Sequence, residues 1–143
     1  MISNSAKYAI KAVLFLAINS SEANKIMVKD IAGPINVPQP YIAKLLQELA
    51  KQKLISSTRG PKGGFFLSDI DKARNVMDIV SVIEKEKKLK ACLLSLENCD
   101  EHNPCPIHHL INPSRSVLIK NLKQKTISDL ALDVINGNSS LPL

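Results

Sequence analysis

No stretch of this 143-residue sequence is apolar for long enough to cross a bilayer. The longest such run, Ala12 to Ile18 (AVLFLAI), is far too short for a membrane span and barely reaches the length of a signal-peptide apolar region. No internal repeat is present, and no paired carboxylates, phosphate-cradling loop or oriented nucleophile stands out, so an enzyme is not expected. Thiols are absent outside one segment: Cys92, Cys99 and Cys105 are all the cysteines there are. Three cysteines cannot all pair within one chain, which argues against a secreted disulfide framework and for a reducing, cytoplasmic setting without a membrane partner. The length suits one domain able to bury a core without disulfide staples.

Charge is unevenly divided. Residues 1–68 hold nine Lys and Arg against three Asp and Glu, a net +6, whereas residues 69–143 hold ten of each. Lysines on a solvated surface would account for this. A local excess of positive charge also favours a polyanionic partner such as DNA.

Ala6, Ile10, Val13, Leu14 and Ala17 recur with helical spacing, so Ser5 to Asn19 reads as a buried first helix. A polar turn leads to a short helix over Val28 to Ala32, which Gly33 and Pro34 are expected to end. Pro38, Gln39 and Pro40 then occupy the first turn of a longer helix, where missing N–H groups cost no helical bond. Its stripe is Ile42, Leu45, Leu46 and Leu49, with Tyr41, Lys44, Gln47 and Lys51 facing elsewhere. Two helices joined by a tight turn match a helix-turn-helix.

The period then changes. LISSTRGPKGGFFLS contains two extended runs around a Gly- and Pro-rich turn, as expected for a β-hairpin wing with Arg59 and Lys62 at its tip and glycines, Gly63 among them, permitting close backbone approach. In a winged helix the second helix enters the major groove and the wing lies over backbone or minor groove. Gln39, Tyr41 and Lys44 are thus placed to reach bases or phosphates, and Arg59, with Lys62 and Gly63 beside it on the wing, suits a narrow, electronegative minor groove. Asn75 is expected to cap a helix through Glu84, Asn112 and Pro113 to open another to about Gln124, and Thr126 with Asp129 to cap a last one before a frayed tail. The expected architecture is mostly α, with residues 1–68 forming the winged helix-turn-helix. Residues 69–143 then supply a linker helix, a cysteine-containing loop and a C-terminal dimerisation helix.

The cysteine segment runs Cys, six residues, Cys, five residues, Cys, two residues, His. Three thiolates and an imidazole suffice for four-coordinate zinc or for the four protein positions of a two-iron, two-sulfide (2Fe-2S) cluster. Structural zinc sites more often use knuckles two to four residues apart, so the wide spacing leans toward a larger inorganic core. Zinc, a metal-free thiol redox switch and plain loop residues remain alternatives.

TRGPKGGFFLS, the cysteine spacing and CPIHH, together with AKYAIKAVLFLA, KDIAGPINVPQPYIAKLLQELAKQKLI and TISDL, resemble the bacterial IscR/NsrR family of winged-helix transcriptional regulators. Some members carry an iron–sulfur cluster and others none. The resemblance covers nearly the whole chain. It implies a homodimer, paired through the long helix after the cysteines, on a roughly palindromic double-stranded DNA operator, with Cys92, Cys99 and Cys105 as cluster ligands and the cluster as a redox sensor. It also implies His108 as the fourth ligand, at the position of the histidine of the iron–sulfur-biogenesis type, with His109 and His102 as competitors. Nitric-oxide-sensing relatives use an aspartate just before the first-helix aromatic residue; here Lys7 precedes Tyr8. Further departures are Met27 and Pro38 where relatives have Ser or Thr, an early stop at Gly33-Pro34, and Pro113 interrupting the dimer helix.

Overall fold

A computed structural model describes residues 2–89, 91–94 and 101–142, without the side chains of 86–88. Cys99 and part of the charged run 84–90 therefore lie outside the described residues.

Ser3 starts the first helix, its hydroxyl accepting the Ala6 N–H at 3.2 Å. In α1 (Asn4–Asn19), burial is broader than the expected stripe: Ala6, Ala9, Ala12, Val13, Leu14, Leu16 and Ala17 are buried. Four buried alanines on one helix let neighbouring backbones approach closely, and four later helices pack on α1. Ser20 ends the helix and ties it to the wing. Its hydroxyl donates to the Leu16 carbonyl at 2.6 Å and accepts the Leu67 N–H at 3.2 Å.

The next helix, α2 (Val28–Ile35), runs through Gly33 and Pro34 instead of stopping there. Pro34 is the penultimate helical residue, so its ring deprives only the exposed Asp30 carbonyl of a partner. The true stop is Asn36, left-handed at φ 53°, with the Val37 N–H returning to the Ala32 carbonyl at 3.1 Å. The supposed early ending relative to similar regulators is thereby removed. In α3 (Gln39–Lys51), Pro38 is the N-cap, and Ile42, Leu46 and Leu49 are buried as expected.

The wing is a short antiparallel pair, β1 (Ser56–Thr58) and β2 (Gly64–Phe66), with Ser57 opposite Phe65. Ile26 bridges to Phe65 on the outer side. Gly63 is obligatory, because a Cβ there would overlap the Thr58 carbonyl oxygen; one at Gly64, φ 150°, would meet the Ile26 backbone. A one-turn helix, α4 (Asp69–Lys72), follows within a Ser68/Asp71 capping box. The Ser68-x-x-Asp71 pattern is its only signal in the sequence, since four residues are too few to show a period.

Asn75 caps α5 (Val76–Leu89), its side chain accepting the Asp78 N–H at 2.9 Å. The regular part ends after Glu84, as expected, because Lys85 adopts φ 54°, ψ 123°. The long C-terminal helix corrects another expectation: α6 (His108–Gln124) begins at His108 and passes uninterrupted through Pro113. Its first N–H groups are satisfied by the cysteine segment: the His108 N–H donates to the Cys105 carbonyl and those of Leu110 and Ile111 to Ile107. Pro113 faces solvent, and the bond it forgoes would have gone to the exposed His109. Thr126 and Asp129 form the anticipated capping box for α7 (Ile127–Ile135). The tail is not wholly frayed, since Leu141 packs against the core.

That core takes Ile31, Ile42, Leu46 and Leu49 from before residue 68 and Val76, Ile79, Ile127 and Ala131 from after it. Among the described residues no helix is long and apolar enough to cross a membrane. Leu16 is fully buried at the centre of this arrangement. Leu16→Ala should lower the unfolding free energy by about 2–5 kcal/mol in urea titrations, with one shared transition for the regions on both sides of residue 68.

Candidate nucleic-acid interface and cysteine site

Burial of Ile42, Leu46 and Leu49 turns the opposite face of α3 outward. Lys44, Gln47 and Lys51 are exposed on that face, Gln39 is exposed as the first residue of the helix, and Arg59 and Lys62 are exposed on the wing. Between the C-terminal half of α3 and the wing lies an open groove of about 640 Å³ lined by Gln47, Lys51, Ser57, Thr58, Arg59 and Phe65, among others. Gln47, Lys51, Ser57 and Thr58 join the expected partner-facing residues only through this groove. The spacing of Gln47 and Lys51 from Lys44, three and seven residues along one helix, is the signal of it that the sequence carries.

Two expected contact residues are placed differently from a free surface group. Gly63 is buried, and it contributes by closing the wing turn. Tyr41 is partly exposed, but its hydroxyl lies 2.6 Å from Ser5 Oγ and its ring meets Tyr8 edge-on, centroids 6.0 Å apart. The phenol thus fastens the first turn of α3 to the first turns of α1.

At the other end, the start of α6 turns His108 inward beside the cysteine segment. Cys92 and Cys105 are buried with their sulfurs 3.6 Å apart. Both line, together with His108, Ile111, Asn112 and Arg115, a cavity of about 10 Å³, room for roughly one water-sized sphere. His109 is exposed, its ring 5.4 Å from that of His108, and His102 is exposed as well. Cys99 lies outside the described residues, and among the described residues no three His, Cys, Asp or Glu converge closely enough to hold a metal ion.

Two of the donors nevertheless have the separation such chemistry needs. Thiolates bound at about 2.3 Å to one tetrahedral ion stand about 3.8 Å apart, close to the 3.6 Å found. A disulfide would require the sulfurs to close by a further 1.5 Å or so. The two thiols thus have a separation that shared ligation of one ion would accept, and His108 lines the same cavity.

Arg115 escapes a reading of the sequence alone, although its position seven residues after His108 places it on the same helix face. It is buried, lines the cavity, and donates from Nη2 to the Ala91 carbonyl at 2.9 Å. A guanidinium there places a positive charge on the cavity wall and ties the residue before Cys92 to α6.

A helix-turn-helix with a basic wing, carried on the same core as a buried cysteine site, defines a winged-helix regulator. A family model described as Iron-dependent Transcriptional regulator matches residues 2–133, and the chain belongs to this family, Rrf2, whose transcriptional regulators bind DNA. A protein of Aquifex aeolicus bearing the name of an HTH-type transcriptional regulator is 33% identical over 91% of this chain and 90% of its own. The regulator IscR of Escherichia coli is 27% identical over 90% and 78%, respectively. Among solved structures, CymR (YrzC), the global cysteine regulator of B. subtilis, superposes with a TM-score of 0.72 at 26% identity, covering 92% of this chain and 95% of that one.

Removing the tie at Ala91 should loosen the cysteine segment selectively. Arg115→Ala is expected to raise the alkylation rate of Cys92 in the folded, reduced protein while far-UV circular dichroism keeps its helical signal; unchanged Cys92 protection would show that Arg115 does not hold the segment.

Proposed function

We propose that this chain acts as a homodimeric transcriptional regulator whose affinity for a double-stranded DNA operator is set by a 2Fe-2S cluster held by Cys92, Cys99, Cys105 and His108. The observation that carries this reading is the meeting of Cys92, Cys105 and His108 on one buried cavity beside Arg115. Two sulfurs and an imidazole gathered out of water, with a cation beside them, suit an anionic iron–sulfur centre better than loosely placed loop residues do. When bound, such a centre supplies sensitivity to iron supply and to oxidants. The protein's part is to present the His108 imidazole, which ligates only when unprotonated, and to keep the sulfurs from solvent.

On the DNA side, Gln39 and Lys44 enter the major groove from the start of α3, while Arg59 and Lys62 follow the backbone or minor groove from the wing. Gly63 shapes that wing, and Tyr41 sets the angle of the reading helix. Dimerisation is assigned to α6. His108 and Arg115 take its inward face, leaving Leu110 and Val117, seven residues apart and 72% and 57% exposed, as an apolar stripe for a second copy of the same helix.

One observation favours a second reading. Sulfurs 3.6 Å apart are also near enough for Cys92 and Cys105 to join after modest movement, so a metal-free thiol switch would use the same cavity. Salt-dependent duplex binding, measured before and after iron chelation and before and after thiol reduction, separates the two. The cluster reading expects chelation to change affinity and reduction of the metal-free protein to have little further effect; the reverse pattern supports the thiol switch. Arg59→Ala should lower the salt slope of binding by about one unit for each phosphate it no longer neutralises, and a slope equal to that of the unaltered protein would remove the wing from the interface.

A further inference from the structure

Glu84 is the last regular residue of α5 and only 4% exposed. Its Oε1 accepts the backbone N–H of Ser3 at 2.6 Å, at the mouth of α1. A carboxylate in this place is stabilised by the positive end of the α1 dipole and by a charge-assisted hydrogen bond. Ser3 in turn caps α1. Two residues further, Ser5 meets the Tyr41 hydroxyl, and one turn on, Tyr8 meets the Tyr41 ring. Tyr41 stands in the first turn of the reading helix.

The route continues in the other direction. Immediately after Glu84 the chain bends at Lys85, and beyond the bend Leu89 and Cys92 are both buried, with Ala91 held by Arg115. A change in how the cysteine segment sits therefore acts on the bend, and Glu84 lies at the pivot. A buried carboxylate has little water to turn to, so the start of α1 follows it. Ser5 and Tyr8 then carry the first turn of α3 with them.

We propose that Glu84 and Tyr41 are positioning residues that transmit the state of the cysteine segment to the reading helix through the first two turns of α1. This rests on the regulatory reading above, in that it requires two states of the segment. Coupling of two sites demands an element whose arrangement both of them bias, and here that element is the start of α1.

The chain has two tyrosines, Tyr8 and Tyr41, and no tryptophan, so its tyrosine emission originates in this latch. The experiment compares full-length protein reconstituted anaerobically with iron and sulfide against the same protein stripped by chelator and kept reduced. Tyrosine signals, iron content and duplex affinity are read in both states. The unaltered protein should show different tyrosine signals and an affinity ratio between states of about five- to 150-fold, the usual range for coupled sites.

Tyr41→Phe keeps the ring and removes the hydroxyl, and Glu84→Ala removes the acceptor. Each should bring the ratio toward one while iron content is retained, and the double variant should reduce it no further. Glu84→Gln, which keeps an oxygen in place, should restore most of the ratio. If Glu84→Ala does not fold, Tyr41→Phe and the mild Ser5→Ala carry the test. Variants that keep the full ratio with unchanged iron, or tyrosine signals identical in the two states of the unaltered protein, overturn the proposal. Equal duplex affinity of the two states in the unaltered protein sinks the regulatory reading itself, and this inference with it.

Discussion

The burial of α1 on most of its circumference is the constraint to which everything else is fastened. Ala6, Ala9, Ala12 and Leu16 are fully buried along it, and α2, α3, α5 and α7 reach it from different sides. Each large side chain so buried is worth about 1.5–3 kcal/mol, which outweighs any one surface contact in this chain. The helix is thus shared by α2 and α3 on one hand and by α5 and α7 on the other. Residues from before and after position 68 therefore share one core rather than two.

The two functional ends differ in kind. At the α3–wing groove Lys51 and Arg59 are exposed cations, suited to a salt-dependent grip on phosphate. At the cysteine site they are buried, with sulfurs, imidazole and guanidinium held within a small cavity. Membership in a family described as Iron-dependent Transcriptional regulator is consistent with both. A buried site changes state only by breaking packed contacts, and such sites switch between discrete arrangements more readily than they deform gradually.

Much of this is legible in the residues. The Ile42, Leu46, Leu49 stripe, the Gly-rich wing and the capping pairs Asn75/Asp78 and Thr126/Asp129 are local patterns, and local geometry reproduces them. The two prolines inside helices mislead for one reason. Proline removes a single hydrogen bond, and at Pro34 and Pro113 the orphaned carbonyl belongs to an exposed residue, where water takes the place of the absent donor. Arg115 and the engagement of Tyr41 are hidden because they depend on partners 24 and 36 residues away, which no periodicity reveals. Similarity to known regulators points to Cys92, Cys105 and His108 as ligands, and packing brings those three to one cavity for a reason spacing alone does not supply: the start of α6 uses the Cys105 and Ile107 carbonyls as its caps.

The central claim is that the buried donors at the start of α6 bind an iron–sulfur centre. The most direct measurement is the iron and acid-labile sulfide content of protein purified without oxygen. The account predicts a coloured protein with iron and sulfide in equal amounts, about two of each per chain. Colourless protein with neither element, after anaerobic preparation from iron-replete cells, would contradict it.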